Sequence, residues 1–424
     1  MSNHAVLARR LNTFDAVVIG LGSMIGAGVF AAFTPAAQAA GSGLLLGLLV
    51  AAVVAYCNAT ASAQLAAEYP TSGGSYVYGR ERLGPWPGFL AGWGFIIGKT
   101  ASSAAMALTF AAYAAPPGWE RPVAIAAVLL LAAVNYRGVT RTAALTRIIV
   151  AAVLAALAVV AAACWGAGAA DPLRLVDGGL FSHGWYGILQ SAGLLFFAFA
   201  GYARIATMGE EVINPRTTIP RAIVIALAIA VAVYAVIAVS VLAVLGPDGI
   251  AGTPAPLAAA VSAGSWNWAS PLVRVGAALA SLGALLALIA GLGRTSLAMA
   301  READLPRWLA AVHPRFKVPH RAELALAGVI CLIISVADLR GAIGFSSFGV
   351  LVYYLVANLA AYTQTGEHRR YPRALQLAGA VACMALVATL PVGSVIAGLV
   401  MFAAGILYRG VRLRFAGTSG SNDP

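Results

Sequence analysis

Apolar stretches of about 20 residues recur along the whole length of this 424-residue chain. The hydrocarbon core of a bilayer is about 30 Å thick, and a helix that rises about 1.5 Å per residue needs about 20 apolar residues to cross it. Hydrophobic residues make up 61% of the chain and charged residues 10%, and the mean hydropathy is +0.87. These values exclude an ordinary soluble domain and predict an all-α integral membrane protein.

We place twelve membrane spans, numbered here in chain order. They are 14–38, 41–66, 86–114, 121–137, 142–168, 185–210, 219–246, 270–300, 321–337, 343–364, 372–390 and 392–410. Spans 4 and 9 are short and Pro391 alone separates the last two, so ten or eleven spans also fit the sequence. Span 1 has no small-residue cleavage site and exceeds a signal-peptide core in length, so we expect it to remain in the mature protein.

The net charge of +12 is distributed unevenly between the two sides of the predicted membrane domain. With the N-terminus inside, most arginines fall in cytoplasmic loops and tails, and only Arg121, Arg174, Arg274 and Arg340 fall outside. This asymmetry is typical of the positive-inside rule and predicts cytoplasmic N- and C-termini. We therefore expect the lipid bilayer, and no nucleic acid, as the partner of these charges. Richness in alanine and arginine suggests a high-GC bacterium and hence its inner (cytoplasmic) membrane.

A glycine-rich stretch, GLGSMIGAGVF at 20–30, interrupts span 1. A second interrupted and aromatic-rich stretch, LLFFAFAGYARIATMGEE at 194–211, follows five spans later. Because five is odd, the second copy enters the membrane from the opposite side, as an inverted repeat requires. We expect one transmembrane domain over 1–424. Its parts are a tail at 1–12, a first repeat at 14–168, an inverted second repeat at 185–364, two added helices at 372–410 and a tail at 411–424.

Helix breaks inside a membrane are tolerated only where protein or a water-filled cavity surrounds the freed backbone groups. Amide groups around Ala27 and Gly28, at the start of a half-helix, favour a carboxylate. Carbonyl groups of the second break, from Phe197 to Gly201, end a half-helix and favour an ammonium group. Together they suit an amino acid. The alternative interpretation is that these glycines are packing notches between helices, as in other small-xxx-small patterns.

Six stretches, in order, carry a resemblance to a known family. They are GLGSMIGAGVF (20–30), AAEYPTSGGSYVYGRERLGPWPGFLAGW (66–93), NYRGVTRTAALT (135–146), FAFAGYARIATMGEEVINPRTTIPRAI (197–223), GRTSLAMAREADLPRWLAAVHPRFKVPHRA (293–322) and GFSSFGVLVYYLVANLAA (344–361). Over about residues 12–370 the chain resembles the amino acid–polyamine–organocation (APC) superfamily of transporters, which share the leucine-transporter fold. The resemblance implies about twelve helices in a 5+5 inverted repeat plus two C-terminal helices, with helices 1 and 6 broken.

The resemblance also implies roles for individual residues. Carboxylate-binding amides would lie at Gly26, Ala27 and Gly28, with Ser23 and Met24 beside them. Amine-binding carbonyls would come from Phe197, Ala198 and Ala200, beside Gly201. Phe197 corresponds to an aromatic pocket wall, Phe199 and Tyr202 to gating positions, and Ser281 to a side-chain oxygen facing helix 1 where relatives hold sodium.

Lys99 lies near the middle of span 3. A charge at the membrane midplane costs from about 2.5 kcal/mol to more than about 10 kcal/mol, so it is a functional candidate. Several proton-coupled relatives carry a lysine in helix 5, and this chain has none there. We therefore consider Lys99 as a proton carrier or a built-in substitute for sodium. The alternative is that it caps a carbonyl at a kink or reaches a wet vestibule.

Acidic residues all fall at span ends, in loops or in tails. Without a carboxylate at mid-depth, we expect a neutral amino acid substrate rather than a cationic amino acid or a polyamine, while an acidic substrate paired with Lys99 stays open. Glu210 and Glu211, near three arginines at the inner end of span 6, form either an inner gate or a solvated cluster that Asp15 and Glu68 join.

The sequence favours a secondary active transporter over three rival classes of membrane protein. It has no nucleotide-binding motif, so the energy would come from an H⁺ or Na⁺ gradient or from exchange, with no cofactor. It shows neither the repeated filter of a channel nor a catalytic or metal-ligand array of an enzyme. A non-transporting amino acid sensor or subunit stays open, and the sequence carries no indication of an oligomeric state.

Overall fold

A computed structural model describes residues 11–70, 73–138, 143–209, 211–366 and 368–418, with side chains up to 414. Within these residues the chain is helical, and strand pairing is confined to a single bridge between Leu11 and Val212. The helices are α1 (Thr13–Met24), α2 (Gly28–Ala31), α3 (Phe33–Ala40), α4 (Leu44–Glu68), α5 (Ser75–Leu83), α6 (Pro85–Ala114), α7 (Glu120–Tyr136), α8 (Ala143–Gly166), α9 (Gly184–Phe199), α10 (Ala203–Ala206), α11 (Pro215–Ala251), α12 (Pro256–Ser262), α13 (Ser270–Arg301), α14 (His320–Val336), α15 (Leu339–Tyr362), α16 (Arg373–Thr389) and α17 (Val392–Thr418).

Each of the twelve predicted spans corresponds to helix in the structure. Span 1 consists of α1, α2 and α3, and span 6 of α9 and α10, so the two spans predicted to be broken are interrupted. In the described part of the chain, nine helical segments are long and apolar enough to cross a membrane. Helices α7, α14 and α16 are shorter, at 17 residues each. At about 1.5 Å per residue they fall just short of the hydrocarbon thickness, which accounts for the different counts.

Two regions expected to be loops, 67–85 and 247–269, contain the short helices α5 and α12. Helix α5 lies between Gly74 (φ 53°) and Gly84 (φ 101°), two left-handed positions that suit glycine and set both ends of the helix. Within α11 the backbone of Gly246 (φ 67°, ψ 174°) leaves helical geometry, so the long apolar helix stops at the predicted end of span 7 and a second short helical stretch continues to Ala251.

Helices α6 and α15 pack closely through glycines. A Cβ atom on Gly349 would lie 2.6 Å from the Gly94 carbonyl oxygen and 2.8 Å from the Gly98 Cα. Such small-residue contacts let helix backbones approach within a membrane. Next to this contact the hydroxyls of Ser102 and Ser346 lie 2.6 Å apart. Helices α6 and α15 are thus tightly packed against each other.

We expect the substitution Gly349→Ala to lower the free energy of unfolding by about 1–3 kcal/mol, since the added methyl group would overlap backbone atoms of α6. Gly328→Ala, in α14, is the matched control because a Cβ there meets nothing within 4 Å. The measurement is the thermal unfolding midpoint of each purified variant. Equal midpoints for the two variants would contradict the close packing.

Candidate functional site

The first break separates α1 from α2. Helix α1 ends at Met24, and α2 begins at Gly28 and leads into α3 through Ala32, whose backbone stays in the helical region. The amide N–H groups of Gly26 and Ala27 donate no hydrogen bond to any other described residue. Free N–H groups at the start of a helix carry partial positive charge. This end of the break therefore suits a carboxylate group.

The second break lies slightly later than the sequence predicted. Helix α9 continues through Phe197 and Ala198 to Phe199, and a 3₁₀ turn at Ala200–Tyr202 then leads into α10. Phe197 and Ala198 thus belong to the last turn of a helix rather than to the break. Ala198 O, in this last turn, accepts a hydrogen bond from the Tyr234 hydroxyl of α11.

The two breaks are in direct backbone contact. A Cβ atom on Gly28 would lie 2.6 Å from Ala198 Cα, and one on Gly201 would overlap the peptide group between Ser23 and Met24. Only glycine permits this approach. The free amides of span 1 and the carbonyl ends of α1 and α9 consequently meet in one place.

Three side chains from neighbouring helices donate hydrogen bonds to carbonyls at the breaks. Lys99 Nζ, in α6, lies 3.2 Å from Ala200 O, and the Tyr354 hydroxyl, in α15, lies 3.4 Å from the same oxygen. The Tyr234 hydroxyl, in α11, contacts both Met24 O (2.6 Å) and Ala198 O (3.0 Å). Lys99 is buried, and no described carboxylate is hydrogen-bonded to it. The lysine therefore caps a carbonyl at the break itself.

The sequence predictions missed both tyrosines. The signal for Tyr234 is a single hydroxyl in an otherwise aliphatic run, AIAVAVYAVIAV at 228–239. Tyr354 directly follows another tyrosine in span 10, so it does not stand out from its neighbours in the sequence. Which carbonyl each hydroxyl reaches depends on tertiary packing, so the spacing along the chain does not reveal it.

The aromatic residues assigned to the pocket wall and the gates are all buried. Phe197 packs in an apolar cluster with Ala27 and Ala31 of span 1, and the cluster also contains Ala284 of α13 and Ile343 of α15.

Of the two predicted gating residues, Phe199 packs against Tyr234 with ring centroids 5.0 Å apart and the ring planes tilted by 58°. Tyr202 lies 5.0 Å from Tyr354 between ring centroids. Both gating candidates thus touch a tyrosine that caps the breaks, and their gating role stays a prediction.

A small cavity of about 10 Å³ lies beside the first break, between this break and helices α8 and α13. Its lining residues are Gly22, Ile25, Gly26, Ile149, Val150, Val153 and Ala280. Three of them, Ile149, Val150 and Val153, are aliphatic residues of α8. Ser281 is fully buried with no hydrogen-bond partner for its hydroxyl among the described residues, and Ala280, not Ser281, lines this cavity. A sodium-facing role for Ser281 remains a prediction.

The start of span 1 and the end of span 6 are joined to each other and to their neighbours. The Leu11 amide donates to Glu211 O (3.1 Å) and the Ile213 amide donates to Leu11 O (2.8 Å), which ties the start of span 1 to the end of span 6. Asp15 forms an ion pair with Arg147 of α8.

Among the residues that the structure describes, the ion pairs at this end are separate from one another. Glu211 lies 3.7 Å from Arg204, and Glu68 lies 3.5 Å from Arg82. Glu210, the other half of the predicted inner gate, lies outside the described residues. The Glu211–Arg204 pair is partly exposed, and exposed ion pairs contribute about 0–1 kcal/mol each.

Another charged cluster joins α5, the loop after α13, and α17. Asp304 accepts hydrogen bonds from Tyr76 (2.8 Å) and Arg409 (2.6 Å) and lies 3.3 Å from Arg80. Burial and the bond to Asp304 raise the pKa of Tyr76 above its ordinary value, so this phenol stays a neutral donor.

The most buried carboxylates are Asp15, Asp304 and Glu323. They lie near the start of α1, just after α13 and in the first turn of α14, away from both breaks. In the described residues, no group of three or more His, Cys, Asp or Glu side chains could hold a metal ion.

Comparison with known proteins agrees with the resemblance seen in the sequence. The model of the family described as "Amino acid permease" matches residues 11–412. An uncharacterized transporter of Mycobacterium tuberculosis is 61% identical over 406 residues, which are 96% of this chain and 92% of that protein. A branched-chain amino acid permease of Bacillus subtilis is 25% identical over 401 residues, covering 89% of this chain and 85% of the relative. A chloroplastic cationic amino acid transporter of Arabidopsis thaliana is 27% identical over 383 residues, or 84% of this chain and 65% of the relative. Family match and helical architecture together lead to one conclusion: the chain is a multi-pass membrane protein that belongs to the amino acid permease family.

Proposed function

We propose that this chain is a secondary active transporter of neutral amino acids that works by alternating access. The observation that carries the proposal is the meeting of the two breaks, which brings free amides and helix-end carbonyls together in the middle of the membrane domain. An α-amino acid carries the two complementary charges a short distance apart. The substrate carboxylate would accept from the amides of Gly26, Ala27 and Gly28, and its ammonium group would donate to carbonyls at the ends of α1 and α9.

A neutral substrate side chain fits the surroundings of the breaks. The apolar cluster that contains Phe197, Ala27, Ala31, Ala284 and Ile343 offers no charged partner. The buried carboxylates lie elsewhere, so a cationic side chain at the breaks would stay unpaired at a high cost. The names of the relatives do not decide the substrate, because one is a branched-chain permease and another a cationic amino acid transporter.

Lys99 is our candidate for coupling to a proton gradient. Its bond to Ala200 O places a titratable group directly on the backbone of the second break. Protonation would add a charge next to the substrate site, and release of the proton would remove it, so the two states would favour different arrangements of span 6. The small cavity beside Gly22 and Gly26 has aliphatic side chains from α8, which disfavours Na⁺ as the coupling ion there.

In the transport cycle, spans 1, 2, 6 and 7 would rock against spans 3, 4, 8 and 9. The bridge between Leu11 and Val212 supports joint movement of spans 1 and 6, since it ties their cytoplasmic ends. The positive-inside distribution of arginines supports cytoplasmic termini, and we place the protein in the inner membrane of a bacterium.

A competition experiment tests the substrate class. Purified protein in proteoliposomes takes up each of a panel of radiolabelled amino acids, with leucine, alanine, glutamate and arginine among them, in the presence of unlabelled competitors. We expect a neutral amino acid to be the best substrate and competitor. If arginine or putrescine outcompetes every neutral amino acid, the neutral assignment is wrong, and if glutamate does so, Lys99 pairs with the substrate instead.

A further inference from the structure

One hydroxyl group lies between the two breaks. Tyr234 is 1% exposed, and its hydroxyl oxygen is 2.6 Å from Met24 O and 3.0 Å from Ala198 O. Met24 is the last residue of α1, and Ala198 lies in the last turn of α9. Both acceptors therefore belong to helix C-termini, where the carbonyls carry partial negative charge.

This arrangement leaves the carbonyl pair under-satisfied. A tyrosine hydroxyl has one proton, so Tyr234 cannot make a full hydrogen bond to both oxygens at once. An ammonium group offers three N–H donors and a positive charge, and charge-assisted hydrogen bonds are about twice as strong as neutral ones. A substrate ammonium is therefore the better partner for Met24 O and Ala198 O.

We propose that the Tyr234 hydroxyl is a displaceable latch: it holds the two breaks together in the empty carrier and gives up both carbonyls to the ammonium group of the substrate. The inference rests on the proposed function and deepens it, because it makes Tyr234 a positioning residue for one half of the cycle. The empty carrier can then reorient with both helix ends capped. The loaded carrier has no need of the hydroxyl.

A second capped carbonyl provides the contrast. Ala200 O has two donors, Lys99 at 3.2 Å and the Tyr354 hydroxyl at 3.4 Å. Removal of the Tyr354 hydroxyl leaves the lysine in place, whereas no other described side chain donates to Met24 O or Ala198 O. Loss of the Tyr234 hydroxyl is therefore not compensated by another side chain. Tyr56→Phe, at an exposed tyrosine of α4, is the matched control because it removes a phenolic hydroxyl outside the site.

The test compares two modes of transport in proteoliposomes, with the radiolabelled neutral amino acid that the wild type takes up best. Net uptake requires the empty carrier to return, but exchange against the same unlabelled amino acid inside does not. For Tyr234→Phe we expect net uptake about tenfold slower, exchange within about twofold of the wild type, and a lower KM for exchange because the competing donor is gone. Tyr56→Phe should keep both modes.

Equal losses in both modes, or no loss in either, would overturn the latch. If Tyr234→Phe does not fold, 3-fluorotyrosine at position 234 replaces it, since this residue keeps the ring and has a more acidic hydroxyl. The stronger donor should raise the KM for exchange, and an unchanged or lower KM would also overturn the latch. Absence of flux in either mode for the wild type would instead mean that the proposed function is wrong.

Discussion

Replacement of Gly28 by alanine is expected to reduce amino acid uptake by about ten- to a hundredfold. The added Cβ would lie 2.6 Å from Ala198 Cα and 2.7 Å from Ala198 Cβ, and the first of these contacts is with backbone that cannot rotate away. To relieve the overlap, the two breaks must separate, which costs about 1–3 kcal/mol of free energy. A cost of this size corresponds to the expected reduction in the uptake rate. The measurement is the initial rate of uptake into proteoliposomes by equal amounts of folded protein.

The control for this prediction is Gly393→Ala, in α17. A Cβ at Gly393 meets nothing within 4 Å, so this substitution adds the same methyl group to a membrane helix without a clash. We expect uptake close to that of the wild type. Wild-type uptake by the Gly28→Ala variant would show that the contact between the breaks is not needed for transport.

Substitution of Lys99 is expected to uncouple uptake from the proton gradient. Lys99→Gln removes the titratable group, so an imposed pH gradient should no longer raise accumulation of the substrate above the level reached without a gradient. Lys99→Arg is the sharper variant, because a guanidinium group keeps the charge and donor capacity but does not release its proton in proteins. It should retain exchange and lose gradient-driven accumulation.

The measurement for Lys99 is the steady-state accumulation ratio with and without a pH gradient, for the wild type and both variants. Full gradient-driven accumulation by Lys99→Arg would exclude proton release from this side chain. In that case the bond to Ala200 O would be a structural cap, which was the alternative interpretation of the lysine.

The twelve spans could be predicted because the bilayer imposes both length and apolarity on each helix. The two breaks could be located because glycine within an apolar run is costly unless the backbone departs from helix there. The end of α9 was placed too early, since FFAFAG continues in helical geometry until the last two of these residues. Helix α5 was missed because its mean composition is polar, and only its flanking glycines mark its ends.

The chemistry of the site was less accessible from the sequence. Lys99 was recognisable as a charge at mid-depth, yet its acceptor, Ala200 O, lies about a hundred residues away in the chain and is set by the packing of α6 on span 6. Tyr234 and Tyr354 reach the breaks from α11 and α15, and no local pattern connects them with the glycines that they serve. Ala280 and Ser281 are consecutive residues, so their side chains point about 100° apart around the helix. The position of span 8 in the sequence does not tell which of the two faces the first break.

We propose that the joined breaks bind an amino acid and carry it across the membrane. The most direct test measures equilibrium binding and time-dependent uptake of one radiolabelled neutral amino acid in the same proteoliposomes, with and without unlabelled amino acid inside. We expect saturable binding together with uptake that the internal amino acid accelerates and that Gly28→Ala removes. Saturable binding without flux under any gradient or internal amino acid would contradict this proposal and identify the protein as a membrane sensor.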